Sequence, residues 1–452
     1  MLTLLMLLAC KDPAPADDSD SPVDTGERPD PLPRREGELS LAEADARIDG
    51  AAGDGMGTTA VGSGESWLLA VGIPQRNDGV GGAVLLTEPP YGDIGPDDEL
   101  PRVPGGTLQS YAGSTLAALG DSLAVGAFWD GNGGNLAGAV YLWDEPLAAG
   151  APDGVWIGAS GDNAGISLRT LPDWTGDGVD ELLVGAIGAD GVEGEAGRVS
   201  VLDGSLRGER LLSDAAVSIS GREYGGYLGI SVSANDLDGD GVADLLIGAL
   251  ADTGDASASG AAYVFYGPLT GALDTRDADG SFAGEESYGQ VGKSVSCSGD
   301  LDGDGLADLA IGAPEGGDGG FVFVHNAAPL GVVAVREGAL AVFSAESPGD
   351  RAGFSVAIVG DRDLDGQDEL MIGAPRNAAA GERAGAAYLL YGPPEGLVAA
   401  ADAAWILRGE AAEARAGSFV GAGPDFNQDH APELMVGSYA LNDGAGALYL
   451  LY

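Results

Sequence analysis

Side chains able to exchange protons near neutral pH are scarce in this 452-residue chain, which has two Lys (Lys11, Lys293), two His (His325, His430) and two Cys (Cys10, Cys297). That scarcity removes most routes to general-base, Schiff-base and thiolate catalysis. Neither His has a Cys or His neighbour at metal-ligand spacing, and no G-x-S-x-G elbow occurs. Positive charge is also in short supply: 21 Lys and Arg stand against 71 Asp and Glu, a formal net charge of −50. Nucleic acid or an anionic membrane surface would have to be approached against repulsion. The string G-Q-V-G-K-S at 289–294 ends like a phosphate-binding loop, but Ser287 stands where that motif needs its first Gly. The apolar stretch 2–9 is too short to cross a bilayer, which takes about 20 residues.

The chain is rich in Gly, with 78 residues, and 44% of it is apolar. Such a composition is turn-rich yet supports a packed core, which excludes general disorder. An apolar run ending in Gly-Ala recurs, as in L-L-I-G-A ending at Ala249 and L-A-I-G-A ending at Ala313, and with the related forms L-M-V-G-S at Ser438 and L-A-V-G-I at Ile73 it occurs seven times. The seven glycines are Gly72, Gly126, Gly185, Gly248, Gly312, Gly373 and Gly437, spaced by 54, 59, 63, 64, 61 and 64 residues. A second Gly opens each unit: Gly57, Gly113, Gly165, Gly229, Gly292, Gly353 and Gly417. A β-rich run such as A-A-Y-V-F-Y (261–266) follows the Gly-Ala pair. Short strands between Gly-rich turns, with a period near 60, predict an all-β propeller. The register also accounts for G-K-S-V, which opens a strand as G-F-S-V and G-I-S-V do.

With these motifs, best seen in A-G-F-S-V-A-I-V-G-D-R-D-L-D-G-Q-D-E-L-M-I-G-A-P (352–375), the chain resembles the FG-GAP repeats of the integrin alpha-chain N-terminal propeller. The resemblance covers residues 45–452 and implies seven blades of four antiparallel strands. The segment before each opening Gly reads as the fourth, outer strand: 217–221, 280–284 and 404–409. No such strand follows the last run at 447–452, whereas A-D-A-R-I-D-G (44–50) has the pattern and precedes the first unit. Residues 45–50 are therefore expected to pair antiparallel with 446–452 and complete blade seven.

Units three to seven carry an acidic loop between their two glycines. It supplies Asp173, Thr175, Asp177 and Glu181; Asp236, Asp238, Asp240 and Asp244; Asp300, Asp302, Asp304 and Asp308; Asp361, Asp363, Asp365 and Glu369; and Asp425, Asn427, Asp429 and Glu433. Oxygen ligands at positions 1, 3, 5 and 9, with a turn-making Gly at position 6, suit a hard cation of the size of Ca²⁺. No Glu stands at position 12 and apolar strands flank the loop, so the expectation is a β-hairpin cage for up to five Ca²⁺ rather than an EF-hand. His430 replaces the turn Gly in the seventh unit. A carboxylate that holds Ca²⁺ is not free for proton transfer, so these 18 carboxylates do not read as acid/base pairs.

Residues 1–9 suit a short signal peptide, and Leu7-Leu8-Ala9-Cys10 resembles the lipobox of bacterial lipoproteins, which implies lipidation at Cys10. The Asp- and Pro-rich segment 10–44 reads as a disordered tether, and Cys297 as a small buried residue on a strand. The combined expectation is a non-catalytic propeller, lipid-anchored at the cell envelope or secreted, with a monomeric head that binds a protein or glycan partner. Membrane contact would come only through the lipid. The resemblance implies structural Ca²⁺ on one face and partner contacts from loops 128–138, 186–197, 250–260 and 375–385 on the other. A scaffold subunit of an envelope assembly, or a propeller-based hydrolase or lyase, are the alternatives.

Overall fold

The computed structural model describes residues 37–452 except 58, 63–67, 97, 149, 206 and 253–256. The chain is a seven-bladed β-propeller, each blade being one sheet built from consecutive strands. Blade four is typical: Leu228–Asn235, Asp244–Ala249, Ala261–Phe265 and Gly280–Ala283 pair antiparallel in that order from the axis outward. The second and third strands are almost wholly buried, as in Leu370–Ala374 and Ala386–Leu390 of blade six, because each lies between two neighbouring blades. That is why they read as unbroken apolar runs rather than alternating ones. The core is correspondingly divided into clusters between adjacent blades; one joins Met371 and Leu389 of blade six to Val436 and Tyr449 of blade seven.

The ring closes as the repeat pattern predicts. Ala46–Asp49 pairs antiparallel with Ala447–Leu450 and is the fourth strand of blade seven. Ala46 and Ile48 are buried in a cluster that also holds Met435 and Leu448 of blade seven and Leu69 and Val71 of blade one. A parallel bridge from Met56 to Gly446 repeats, across the closure, the bridges that join the other blades, such as Gly260 to Val291.

Two features depart from the expectation. Six blades have five strands, not four. In five of them the connection between the third and fourth strands of the next blade lays a short strand parallel to the outer edge, as Gly331–Ala334 does against Gly280–Ala283. A bare outer edge would be open to pairing with other chains, and the added strand covers it. Blade one lacks the fifth strand among the described residues; a 3₁₀ turn, Pro146–Ala148, lies against its outer strand Arg102–Pro104. The second departure is the boundary expected at residue 45. Gly37–Ser40 is the fifth strand of blade six, paired parallel with Trp405–Arg408, and Leu41 is buried. The segment's average composition conceals Leu39 and Leu41, the two apolar residues that dock it, and Glu38 meets Arg408 at 3.3 Å. Residues 1–36, including the expected signal peptide and Cys10, lie outside the described residues.

Closure by Ala46–Asp49 gives a test. A chain starting at Asp45 loses only the edge strand on blade six and should stay folded. A chain starting at Ala51 exposes the edge of Ala447–Leu451 and the core around Ile48, whose burial alone is worth about 2 kcal/mol. It should melt lower and aggregate; equal melting temperatures for the two truncations would refute the closure.

Candidate metal centres

In blades three to seven the hairpin between the first and second strands carries the acidic loop, and all five are wired alike. The carboxylate at position 1 turns back over the loop and accepts the amide of position 6, at 2.7 to 2.9 Å in every copy from Gly178–Asp173 to His430–Asp425. The carboxylate at position 5 accepts the amide of position 7 at 2.8 to 3.0 Å. The acid at position 9 accepts the amide of position 2 at 2.5 to 2.8 Å, which ties the start of the second strand to the loop. Position 6 is left-handed throughout, with φ of 87° to 96° at Gly178, Gly241, Gly305 and Gly366 and 74° at His430. Such a backbone favours Gly, and His is among the residues that tolerate it best.

Three loops bring carboxylate oxygens together. Asp236, Asp238 and Asp244 place one oxygen each within 4.8 Å of one another, and so do Asp300, Asp302 and Asp304, and Asp361, Asp363 and Asp365. Asp240, Asp308 and Glu369 complete the predicted sets just outside those trios. In loops three and seven the neutral residue at position 3 bonds within the set instead: Thr175 Oγ1 donates to Glu181 Oε1 at 2.7 Å, and Asn427 Nδ2 to Asp429 Oδ2 at 3.0 Å. These two loops share the fold of the other three but not their charge density.

The position-9 acids stand at the root of a fully buried strand. Glu181, Asp244, Asp308, Glu369 and Glu433 are all buried. Burial, with smaller contributions from the neighbouring carboxylates, pushes Asp244 up to about 6, Asp308 to about 7 and Glu369 to about 8. Glu433 is raised too, again mainly by burial. Glu369 Oε1 and Glu433 Oε2 are buried with no hydrogen-bond partner. A buried acceptor left unmatched is costly, and an all-oxygen set with such an acceptor fits a hard divalent cation.

Several contacts at the hairpins had no signal in the sequence. Trp174 Nε1 donates to Ala243 O at 2.7 Å, joining loop three to loop four. The Asp300 amide donates to Asp368 Oδ2 at 2.8 Å, and Arg362 Nη1 to Pro432 O at 2.7 Å, joining five to six and six to seven. The hairpins are therefore laced side by side along one face. Asp274, which reads as part of a solvated acidic turn, instead caps the 3₁₀ turn Thr275–Asp277 and is held down at about 2 by Arg276. Cys297 is buried as expected, with its thiol pushed up to about 11 by burial.

Comparison with known proteins agrees with this architecture. The FG-GAP repeat family matches residues 294–325, the first three strands of blade five. The chain is 36% identical to integrin alpha-5 of Xenopus laevis over 192 residues, 39% of this chain and 17% of that one. It is 29% identical to integrin alpha-4 of Xenopus laevis over 197 residues and 27% identical to integrin alpha-V of Gallus gallus over 210. These matches take in 42% and 45% of this chain and 18% and 19% of the relatives. The chain thus spans under a fifth of the length of the integrin alpha chains it matches.

The buried acids predict a pH response without metal. Glu369 has a folded pKa near 8 against an ordinary 4.5, so its proton is held more tightly folded than unfolded. Its contribution to stability is full below about 4.5 and lost as the pH rises through 8. In EGTA the melting temperature should therefore fall between pH 5 and pH 9, and Glu369→Gln should flatten part of that fall. An identical slope in the variant would rule out this origin.

Proposed function

We propose that the chain is a Ca²⁺-stabilised, non-catalytic propeller that binds a protein or glycan partner at the cell envelope. The observation that carries this reading is the wiring of the five hairpins, which holds the carboxylates at positions 1, 5 and 9 in one arrangement. Asp236, Asp238, Asp240 and Asp244 would hold one ion, Asp300, Asp302, Asp304 and Asp308 a second, and Asp361, Asp363, Asp365 and Glu369 a third. Asp173, Thr175, Asp177 and Glu181, and Asp425, Asn427, Asp429 and Glu433, would hold two more, with fewer charges each. The ions screen like charges within each loop and tie the loop to its second strand; they have no open role in chemistry.

The topology supports a division of labour between the faces. A second strand starts at its hairpin and ends at Gly-Ala, so loops 128–138, 186–197, 250–260 and 375–385 lie on the face opposite the hairpins. Gly37 is on the hairpin side, its amide bonded to Ala404 O at 2.8 Å beside the start of Trp405–Arg408. The non-catalytic reading draws support from His325, which is buried with its Nε2 2.9 Å from Val335 O and its pKa lowered to about 4 by burial.

Each saturated site adds RT ln(1 + [L]/Kd), about 2.7 kcal/mol at a hundredfold excess over Kd. EGTA should lower the melting temperature markedly, and Asp240→Ala and Asp304→Ala should each remove one Ca²⁺ from the purified protein. An unchanged melting curve in EGTA, with no Ca²⁺ bound, would sink the metal reading. Cys10→Ser should abolish lipid labelling and release the propeller to the soluble fraction; labelling indifferent to Cys10 would leave no anchor. A pull-down from the native envelope, with and without EGTA, tests partner binding itself.

A further inference from the structure

We propose that the face opposite the hairpins carries, around blade six, a site for the carboxylate of an acidic sugar, with Arg376 and Arg415 as its cationic contacts. This rests on the partner-binding reading above and names the partner's chemistry. Four arginines meet there in a chain with only 21 basic residues. Arg376 and Arg383 belong to the loop after Leu370–Ala374, and Arg351 and Arg415 to the connections that enter and leave blade six. The three segments are fixed to each other through the backbone: the Arg376 amide donates to Asp350 O and the Arg415 amide to Arg383 O, both at 3.1 Å. The cluster is thus held in place before any ligand arrives.

The arginines differ in how far they are already engaged. Arg351 pairs with Glu315, and Arg383 with Glu413 at 3.5 Å. Arg415 donates to the Tyr439 hydroxyl and lies over that ring at 5.5 Å, with no carboxylate partner among the described residues. Arg376 is exposed, and its guanidinium has no partner among the described residues. Partial loss of hydration, then the charges of Arg351, Arg383 and Arg415, hold it below its ordinary value despite Glu315. With acidic residues outnumbering basic ones more than threefold, unpaired guanidiniums side by side are a cost that a bound anion relieves. Arg351 and Arg415 occupy left-handed backbone, φ 62° and 59°, as Tyr111, Tyr227 and Gln290 do at the equivalent position of other blades.

The shape of the site selects a sugar. Beside Arg415 an open cleft of about 510 Å³ is lined by Ala411, Ala412, Ala440, Glu413, Asn442 and Asp443, with Arg376 outside that lining. Small residues admit the face of a pyranose ring, and short amide and carboxylate groups bind hydroxyls. A peptide would seek an unpaired strand edge or an apolar anchor pocket, and this cleft offers neither. The exposed Trp129, Val192, Tyr224 and Tyr288 are on the loops of other blades. Of the two acids in the lining, Glu413 is paired with Arg383 at 3.5 Å and Asp443 is left for ligand hydroxyls, and repulsion from acids beyond about 8 Å is screened at physiological salt.

The test is calorimetric titration of the full chain in Ca²⁺ with hyaluronan hexasaccharide, a uronate-bearing probe. Neutral chitohexaose, hexaglutamate and inorganic phosphate are the comparisons. Saturable binding of the hexasaccharide is expected, with chitohexaose inert and glutamate and phosphate at least tenfold weaker. Arg376→Gln and Arg415→Gln should each weaken it at least tenfold, while Glu193→Gln on blade three should not. The Arg376 side chain is exposed and makes no hydrogen bond or ion pair among the described residues, and its amide bond to Asp350 O survives the substitution, so the variant should melt like the parent and a loss of binding cannot be ascribed to unfolding. No binding, equal binding of any comparison ligand, or unchanged affinity in both arginine variants would overturn the site. Failure of the hexasaccharide alone refutes this assignment; an empty envelope pull-down refutes the partner reading, whatever the hexasaccharide does.

Discussion

Neighbouring blades approach one another glycine against glycine, and the rest of the structure depends on that contact. A Cβ at Gly248 would lie 1.9 Å from the carbonyl oxygen of Gly292, the opening Gly of the next blade. The same clash, at 1.9 to 2.3 Å, arises at each of the other Gly-Ala glycines, including Gly437 against Gly57 where the ring closes. The carbonyl cannot swing aside, since a hydroxyl from the preceding blade holds it: Ser231 Oγ donates to Gly292 O at 2.9 Å and Ser167 Oγ to Gly229 O at 2.7 Å. Gly-Ala, the opening Gly and the Ser two places after it are thus three parts of one inter-blade joint.

That joint fixes the two inner strands of each blade, and the hairpin between them inherits the precision. The acid at position 9 is the price of making a hairpin this way. It begins or immediately precedes a strand with no access to water, so its charge must be met inside the loop or given up to a proton. The amide of position 2 meets it in all five loops, a second amide joins at Asp244, Asp308 and Glu433, and in Glu369 and Glu433 one oxygen has no hydrogen-bond partner among the described residues. Loops three and seven reduce the problem by placing Thr175 and Asn427 where the others have Asp, at the expense of a weaker field for a cation.

Repetition made the fold and the hairpins legible. Seven strand-ending glycines, five of them followed by Ala, five acidic loops in one register and an orphan strand pattern at 44–50 each follow from counting. What escaped the sequence lacks repetition or depends on a neighbouring blade. The fifth strands are only three or four residues long; each opens with Gly, but the rest varies, from G-E-L-S at 37–40 to G-V-V-A at 331–334, and their pairing depends on the edge they cover. Asp368 and Trp174 lace adjacent hairpins from positions that have no counterpart in most units. The arginines of blade six are more than 60 residues apart at their extremes, Arg351 and Arg415, and only the radial arrangement brings them together.

The N-terminal segment shows how a closed ring is kept from opening at its weakest seam. A single strand completing blade seven would leave closure to one four-residue ladder, Ala46–Asp49 on Ala447–Leu450. The chain spreads the load instead. Gly37–Ser40 grips blade six, Ala46–Asp49 fills blade seven, and Gly92–Ile94, from within blade one, covers the outer edge of blade seven in turn. Tyr91 reaches across to the hairpin of blade seven, its hydroxyl donating to Phe426 O at 3.1 Å. Opening the ring between blades seven and one therefore has to break contacts on both sides of the seam and at its hairpin face. The seam, where Ala46–Asp49 meets Ala447–Leu451, is held by more independent contacts than the closing strand alone would give.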